Sequence, residues 1–183
     1  MKRKLALCIM LLFLITISTA PRQAQGVPDE IIYRVLPGSD EWERLETPLA
    51  KHEACRISES VMKDLTDREL IKALIEYPFL LDVFACEDWN KAVEVMVSSS
   101  DALRELLARK TAIAELELTI KDMVDNSEKE TGLEECKKEA LMIIMSYCAQ
   151  IRDNISENTI KLINDNSNMV RVQYDSYDRW KLY

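Results

Sequence analysis

The sequence predicts an all-α, single-domain bundle of about seven or eight short helices. Three observations favour this fold. Apolar residues recur at helical spacing along most of the chain, as Leu70, Leu74 and Tyr77 illustrate. Helix-starting residues stand before these stripes, as in Thr47 followed by Pro48. The 183 residues include only three glycines, which argues against a turn-rich β protein.

The first 26 residues have the order of a secretory signal. Basic residues at positions 2–4 precede an apolar run from Leu5 to about Ile17, and small residues follow. The run is shorter than the roughly 20 residues that span a bilayer. Small residues at Ala24 and Gly26 predict cleavage after Gly26. We therefore expect an exported protein, secreted or associated with the cell envelope, with a permanent N-terminal anchor as the alternative.

The mature chain is predicted to be strongly acidic. Residues 1–26 carry four basic side chains and no acidic ones, so cleavage changes the net charge from −8 to −12. This charge argues against nucleic acid and against an anionic membrane surface as partners. We expect no cofactor, because no glycine-rich phosphate loop occurs, and no metal, because the cysteines lack zinc-ligand spacing.

Four cysteines remain after cleavage and are candidates for disulfides, because the chain is predicted to be exported. Two of them are predicted to lie on one helix about 18 Å apart, which disfavours their pairing with each other. The alternative is four buried free thiols that act as small apolar side chains. The four are Cys55, Cys86, Cys136 and Cys148, the last two being those on one helix.

Residues 27–40 are predicted to form an extended lead-in to a helical domain that spans 41–163. Its first helix is predicted from Thr47 to about Arg56, and Ser58 is predicted to cap the next. The third predicted helix start is a capping box, in which Thr66 and Glu69 each bind an otherwise free backbone N–H of the other. Pro78 is predicted to end that helix.

The most apolar segment, 79–84, is predicted to be a buried helix at the centre of the core. Further helices are predicted from Trp89, from the Ser100 cap and around Ile113, and a long one from Leu133 to Arg152.

The C-terminal part is predicted as a last helix over 154–163, then a loop and aromatic tail over 164–183. Alternation at Val170, Val172 and Tyr174 favours a short strand. That strand would be isolated or would pair with residues 159–163 in a hairpin.

Five segments resemble a group of uncharacterised exported proteins of Gram-positive bacteria. These proteins share an LPGS.EW start, an EAC.I segment, a T.E.L helix start, a YP.L.D break and a GL.EL..R segment. The resemblance implies an exported helical fold and supplies no activity. The corresponding segments here are Leu36–Trp42, Glu53–Ile57, Thr66–Leu70, Tyr77–Asp82 and Leu103–Arg109.

Few residues are candidates for catalysis. His52 is the only histidine, and its neighbour Cys55 lies one helical turn away, a poor arrangement for a nucleophile and its base. We therefore predict a surface histidine. Asp82 stands between apolar residues and is the best candidate for a perturbed carboxyl group, although a helix-terminus role explains it equally well.

The aromatic tail is the most unusual predicted surface feature. Tyrosine and tryptophan are enriched at binding surfaces, so the tail is a candidate partner-binding segment, with folding back onto its own domain as the alternative. The main functional prediction is therefore a non-enzymatic module that binds a protein or an envelope component. The alternatives are an envelope hydrolase with paired carboxylates and an acidic inhibitor or immunity-type protein. The tail residues are Tyr174, Tyr177, Trp180 and Tyr183.

Overall fold

The computed structural model describes Tyr33, residues 35–126 and residues 132–167. The described part is helical and contains no strand, which confirms the predicted all-α, single-domain fold. The predicted signal over 1–26 and the predicted strand and aromatic tail lie outside the described residues.

Ten α-helices and one 3-10 helix make up the described part of the chain. Short connections join them, and the longest described helix has 16 residues. In chain order they are α1 (Asp40–Glu43), α2 (Pro48–Ala54), α3 (Glu59–Asp64), α4 (Asp67–Ile75), the 3-10 helix (Leu80–Ala85), α5 (Trp89–Ser99), α6 (Asp101–Ala108), α7 (Ala112–Asp125), α8 (Gly132–Tyr147), α9 (Ala149–Arg152) and α10 (Glu157–Asn166).

Side-chain caps fix the starts of the helices. The hydroxyl of Thr47 accepts from the backbone N–H of Ala50, with Pro48 at the first helical position. Both halves of the capping box between Thr66 and Glu69 form, so that prediction is confirmed. Each cap satisfies a backbone donor that the helix leaves free, which explains why these starts were readable from the sequence.

The core is centred on α8. Its residues 140–145 are all buried, so this stretch packs on every side. It contacts the 3-10 helix, α5 and α7, while α4 packs against α6 and α7. The prediction that segment 79–84 forms the central helix is wrong. That segment folds as a 3-10 helix against α8, and within the helix only Leu80 and Val83 turn fully inward.

Two predicted boundaries near the C-terminus are also wrong. The single helix over 133–152 is divided at Cys148, whose extended backbone (ψ 107°) ends α8 and starts α9. The last helix begins after Ser156, whose hydroxyl caps Thr159, and it continues to Asn166 rather than ending at Ile163. Residues 159–163 are therefore helical and cannot be one strand of the predicted hairpin.

Candidate functional site

His52 is stacked on an aromatic ring and is half-buried. Its ring centroid lies 3.9 Å from that of Phe79, with the planes at 17°. The Nδ1 atom lies 3.4 Å from the hydroxyl of Tyr77, which donates to the carbonyl of Ser99 at 3.3 Å. That hydroxyl has one proton, so whether Nδ1 donates to it or accepts from it depends on the tautomer of His52. The prediction of a surface histidine is therefore corrected: the ring is half-buried against Phe79 and Tyr77.

Cys55, one turn from His52, is not poised as a nucleophile. The side chain is buried, and burial raises the pKa of its thiol to about 11. A thiol with that pKa is protonated near neutral pH, whereas the thiolate is the reactive form. Nδ1 of His52 is directed at the hydroxyl of Tyr77 instead.

The four candidate disulfide cysteines are all free thiols in the structure. Two of them fit the alternative of thiols that act as small apolar side chains, because Cys55 and Cys148 are buried. Burial also raises the pKa of the Cys148 thiol. Cys86 is half-buried, and Cys136 is exposed on α8.

Asp82 does not occupy the apolar setting that its sequence neighbours predict. In the 3-10 helix Leu80 and Val83, three residues apart, share the inward face, and this geometry leaves Asp82 exposed. An exposed carboxylate is a poor general acid, since catalysis at neutral pH needs an environment that raises its pKa.

Asp101 is a largely buried carboxylate at the first position of α6. Its Oδ2 accepts from the backbone N–H of Ile57 at 3.0 Å and from Nε of Arg56 at 3.0 Å. Its Oδ1 accepts from the guanidinium of Arg104. With 9% of its side chain exposed, Asp101 joins the segment before α3 to the start of α6. These partners occupy both oxygens, which favours a structural role over a catalytic one.

Arg109 forms a second long-range junction. Its guanidinium donates to the carbonyls of Met62 (3.0 Å) and Leu65 (2.6 Å) at the end of α3. It also contacts Glu105 at 2.9 Å and Asp67 at 3.3 Å. Although burial opposes the charge, the hydrogen bonds to these two carboxylates raise the pKa of Arg109. No sequence signal connected Arg109 with residues more than 40 positions away.

Two of the three tryptophans, Trp42 and Trp89, lie among the described residues, and each packs against a phenylalanine ring. Trp42 is buried with its ring 5.6 Å from that of Phe79, and Nζ of Lys51 lies 5.2 Å above it. Trp89 is half-buried against Phe84 at 6.3 Å. Both rings are used in packing, which leaves little face for a sugar to stack on.

An open groove of about 520 Å³ lies between α7 and α10. Its α7 wall carries Ala114, Leu118, Lys121 and Asp125, whose spacing places them along one face of that helix. Leu118 is 58% exposed. Leu162 provides apolar surface on the α10 wall of the groove.

Glu117 links the two walls of this groove by hydrogen bonds. Its Oε1 accepts from the backbone N–H of Ser156 at 2.6 Å, at the start of α10. Partial burial opposes the charged form, but hydrogen bonds from Ser156 and Thr159 outweigh it and lower the pKa of the Glu117 carboxyl group. Both helices extend from this anchor along the groove, α7 towards Asp125 and α10 towards Leu162.

Two further findings bear on the kind of site. Among the described residues, no group of three or more His, Cys, Asp or Glu side chains could hold a metal ion. No helix in the described part of the chain has both the length and the apolar character needed to cross a membrane. The four aromatic tail residues predicted to bind a partner, Tyr174, Tyr177, Trp180 and Tyr183, lie outside the described residues.

Comparison with known proteins gives no relative. The chain matches no family model, no curated protein and no solved structure. The resemblance to exported proteins of Gram-positive bacteria therefore stays a prediction.

Proposed function

We propose that this chain is a non-enzymatic exported module that binds another protein or an envelope component. The observation that supports the proposal is the groove between α7 and α10. Leu118 is 58% exposed in it, although the same helix buries Leu116 and Ile120 completely. Ala114 and Leu162 line the same groove as Leu118, and apolar residues that are grouped in this way, rather than scattered singly, are typical of a surface that a partner covers.

Two partly buried carboxylates, Asp101 and Glu117, support binding rather than hydrolysis. Asp101 is occupied by Ile57 and two arginines, and Glu117 by Ser156 and Thr159. A glycosidase-type hydrolase needs two carboxyl groups that face one bond of the substrate, roughly 5 to 10 Å apart. These two carboxylates instead connect segments of the fold, which accounts for their burial without catalysis.

The groove and the aromatic tail together define the proposed binding surface. The predicted export signal places this surface outside the cytoplasm, where envelope proteins would meet it. The predicted mature charge of −12 does not affect apolar contacts in the groove, but it disfavours acidic partners.

The proposal is tested by a pull-down from an envelope and culture-fluid extract of the source cell. The baits are the mature chain from Val27, the same chain ending at Asn168, and the full chain with Leu118→Glu. Val95→Glu is the matched control, because Val95 is a similarly exposed apolar residue (54%) on α5. Circular dichroism checks that each bait is folded.

We expect one protein to be retained by the full chain and by Val95→Glu, and to be lost with Leu118→Glu and with the truncation. Capture of nothing by any bait would overturn the proposal of a stable partner. Equal loss with both glutamate variants would overturn the assignment of binding to the groove. Washing in high salt separates an apolar partner, which stays bound, from a basic protein held by charge alone.

A further inference from the structure

Two charged residues that line the groove between α7 and α10 have no partner among the described residues. Lys121 and Asp125 both line it on the α7 side, one helical turn apart. Within the described residues, neither takes part in a hydrogen bond or an ion pair. The groove therefore presents a positive group nearer Leu118 and a negative group farther from it, beside exposed apolar surface. An occupant that fits would carry the opposite order of charges.

The chain itself continues from the end of one groove wall. Ser167 follows α10 directly, is buried, and donates its hydroxyl proton to Oε2 of Glu139 at 2.6 Å. This contact fixes the point from which residues 168–183 continue. Sixteen extended residues reach up to about 50 Å, whereas a ten-residue helix such as α10 is about 15 Å long. The C-terminal segment is therefore long enough to turn back along the whole groove.

The first two charges of that segment come in the order that matches the groove. Because α10 starts beside Glu117 and leads towards Leu162, a chain that turns back after Ser167 meets the Asp125 end first. In sequence, Arg171 comes first and Asp175 comes four residues later. A returning segment would bring Arg171 to Asp125 and then Asp175 towards the neighbouring lysine.

The apolar residues of the segment match in the same way. Tyr174 and Tyr177 follow Arg171, and in the returning direction they reach the groove where Leu118 is exposed. Burial of an aromatic ring against leucine stabilises such a contact through the hydrophobic effect. Reach, charge order and apolar order thus agree on one occupant.

We infer that the groove between α7 and α10 is the docking site of the chain's own C-terminal segment, residues 168–183. A partner that needs both the groove and the aromatic tail would then bind them as one surface, formed by the docked segment and the groove walls. The inference goes beyond the proposed function, because it concerns the purified chain and needs no partner. It can therefore fail while the pull-down succeeds, and the reverse.

The test is hydrogen exchange of the purified mature chain, followed by mass spectrometry. We compare the wild type with Leu118→Glu and with the matched control Val95→Glu, and check each variant for unchanged helicity. The wild type and the control should protect amides in 170–180 from exchange, and Leu118→Glu should reduce that protection by about tenfold.

A charge reversal isolates the predicted ion pair. Lys121→Glu should reduce protection of the segment, and the double variant Lys121→Glu with Asp175→Lys should restore it. Rescue of this kind requires that the two positions meet, since a loss of general stability would not be reversed.

Three results would overturn the inference. The first is exchange over 170–180 as fast as in a free peptide. The second is protection that Leu118→Glu leaves intact, which would place the segment elsewhere. The third is protection that disappears on dilution, which would assign the groove to the segment of a second copy.

Discussion

The carboxylate of Asp101 accepts a hydrogen bond at 3.0 Å from the backbone N–H of Ile57, 44 residues earlier in the chain. The same side chain pairs with Arg56 and Arg104. Its partners lie before α3 and within α6, so one side chain fixes how the first helices lie against the middle of the bundle. A buried N–H and two guanidinium groups depend on it.

Removal of this carboxylate should destabilise the fold. Asp101→Ala leaves the N–H of Ile57 without its partner, and we expect the free energy of unfolding to fall by about 2–3 kcal/mol. Asp101→Asn keeps an acceptor and should cost about half as much. Urea denaturation followed by circular dichroism measures both. Asp82→Ala, at an exposed carboxylate, is the control and should change stability by less than about 0.5 kcal/mol. An Asp101→Ala effect that is no larger would contradict this role.

Arg109 should not be replaceable by lysine. Its guanidinium binds two carbonyls at the end of α3 and two carboxylates, and one ammonium group cannot satisfy all four acceptors. We expect Arg109→Ala to lower the free energy of unfolding by roughly 2 kcal/mol, and Arg109→Lys to lower it by most of that amount. Arg56→Lys is the control, since the side chain of Arg56 is half exposed and, among the described residues, forms an ion pair with Asp101 alone. Equal stability of wild type and Arg109→Lys in urea denaturation would refute the prediction.

Local chemistry explains why the helices could be predicted. Caps at Thr47, Ser58 and Thr66 act within three residues, so the sequence shows both partners. The end of α10 was predicted wrongly because no comparable local signal marks it. The polar residues after Ile163 suggested a loop. They are instead exposed residues of α10, where polar side chains are common, and the helix ends only at Asn166.

Long-range contacts could not be predicted in this way. The bonds of Asp101 to Ile57 and of Arg109 to Met62 join residues more than 40 positions apart. Nothing local marks either side chain, since charged residues on helices usually face solvent. The groove could not be predicted for the same reason, because it exists only where α7 and α10 meet. Its exposed leucine, Leu118, lies off the stripe of Leu116 and Ile120, but the sequence does not show that α10 lies beside it.

The four thiols should differ strongly in reactivity. Burial raises the pKa of Cys55 to about 11, two units above the ordinary value of 9.0 that applies to a free thiol. At pH 8 its thiolate fraction is therefore about one hundredth of the ordinary one, and its alkylation should speed up as the pH rises towards 11. Exposed Cys136 should react first with iodoacetamide, and Cys55 and Cys148 last, as peptide mass spectrometry would show.

The number of free thiols in the mature chain tests whether its cysteines form disulfides. Titration of the unfolded mature chain should find four thiols, as the structure contains. Two thiols or none in protein recovered from the exported fraction would show that disulfides form after all.

Glu117 should make the junction of α7 and α10 sensitive to acid. Its folded pKa is lowered by hydrogen bonds from Ser156 and Thr159, so its contribution to stability is fully present above the unfolded value of about 4.3. The contribution is lost as pH falls through the lower, folded value. Glu117→Gln should therefore cost about 1 kcal/mol at pH 6 and much less at pH 2 in urea denaturation. Asn158→Ala, a non-titrating change in the same groove, should cost the same at both pH values. If the two variants respond alike to pH, the charged form of Glu117 does not hold α10 in place.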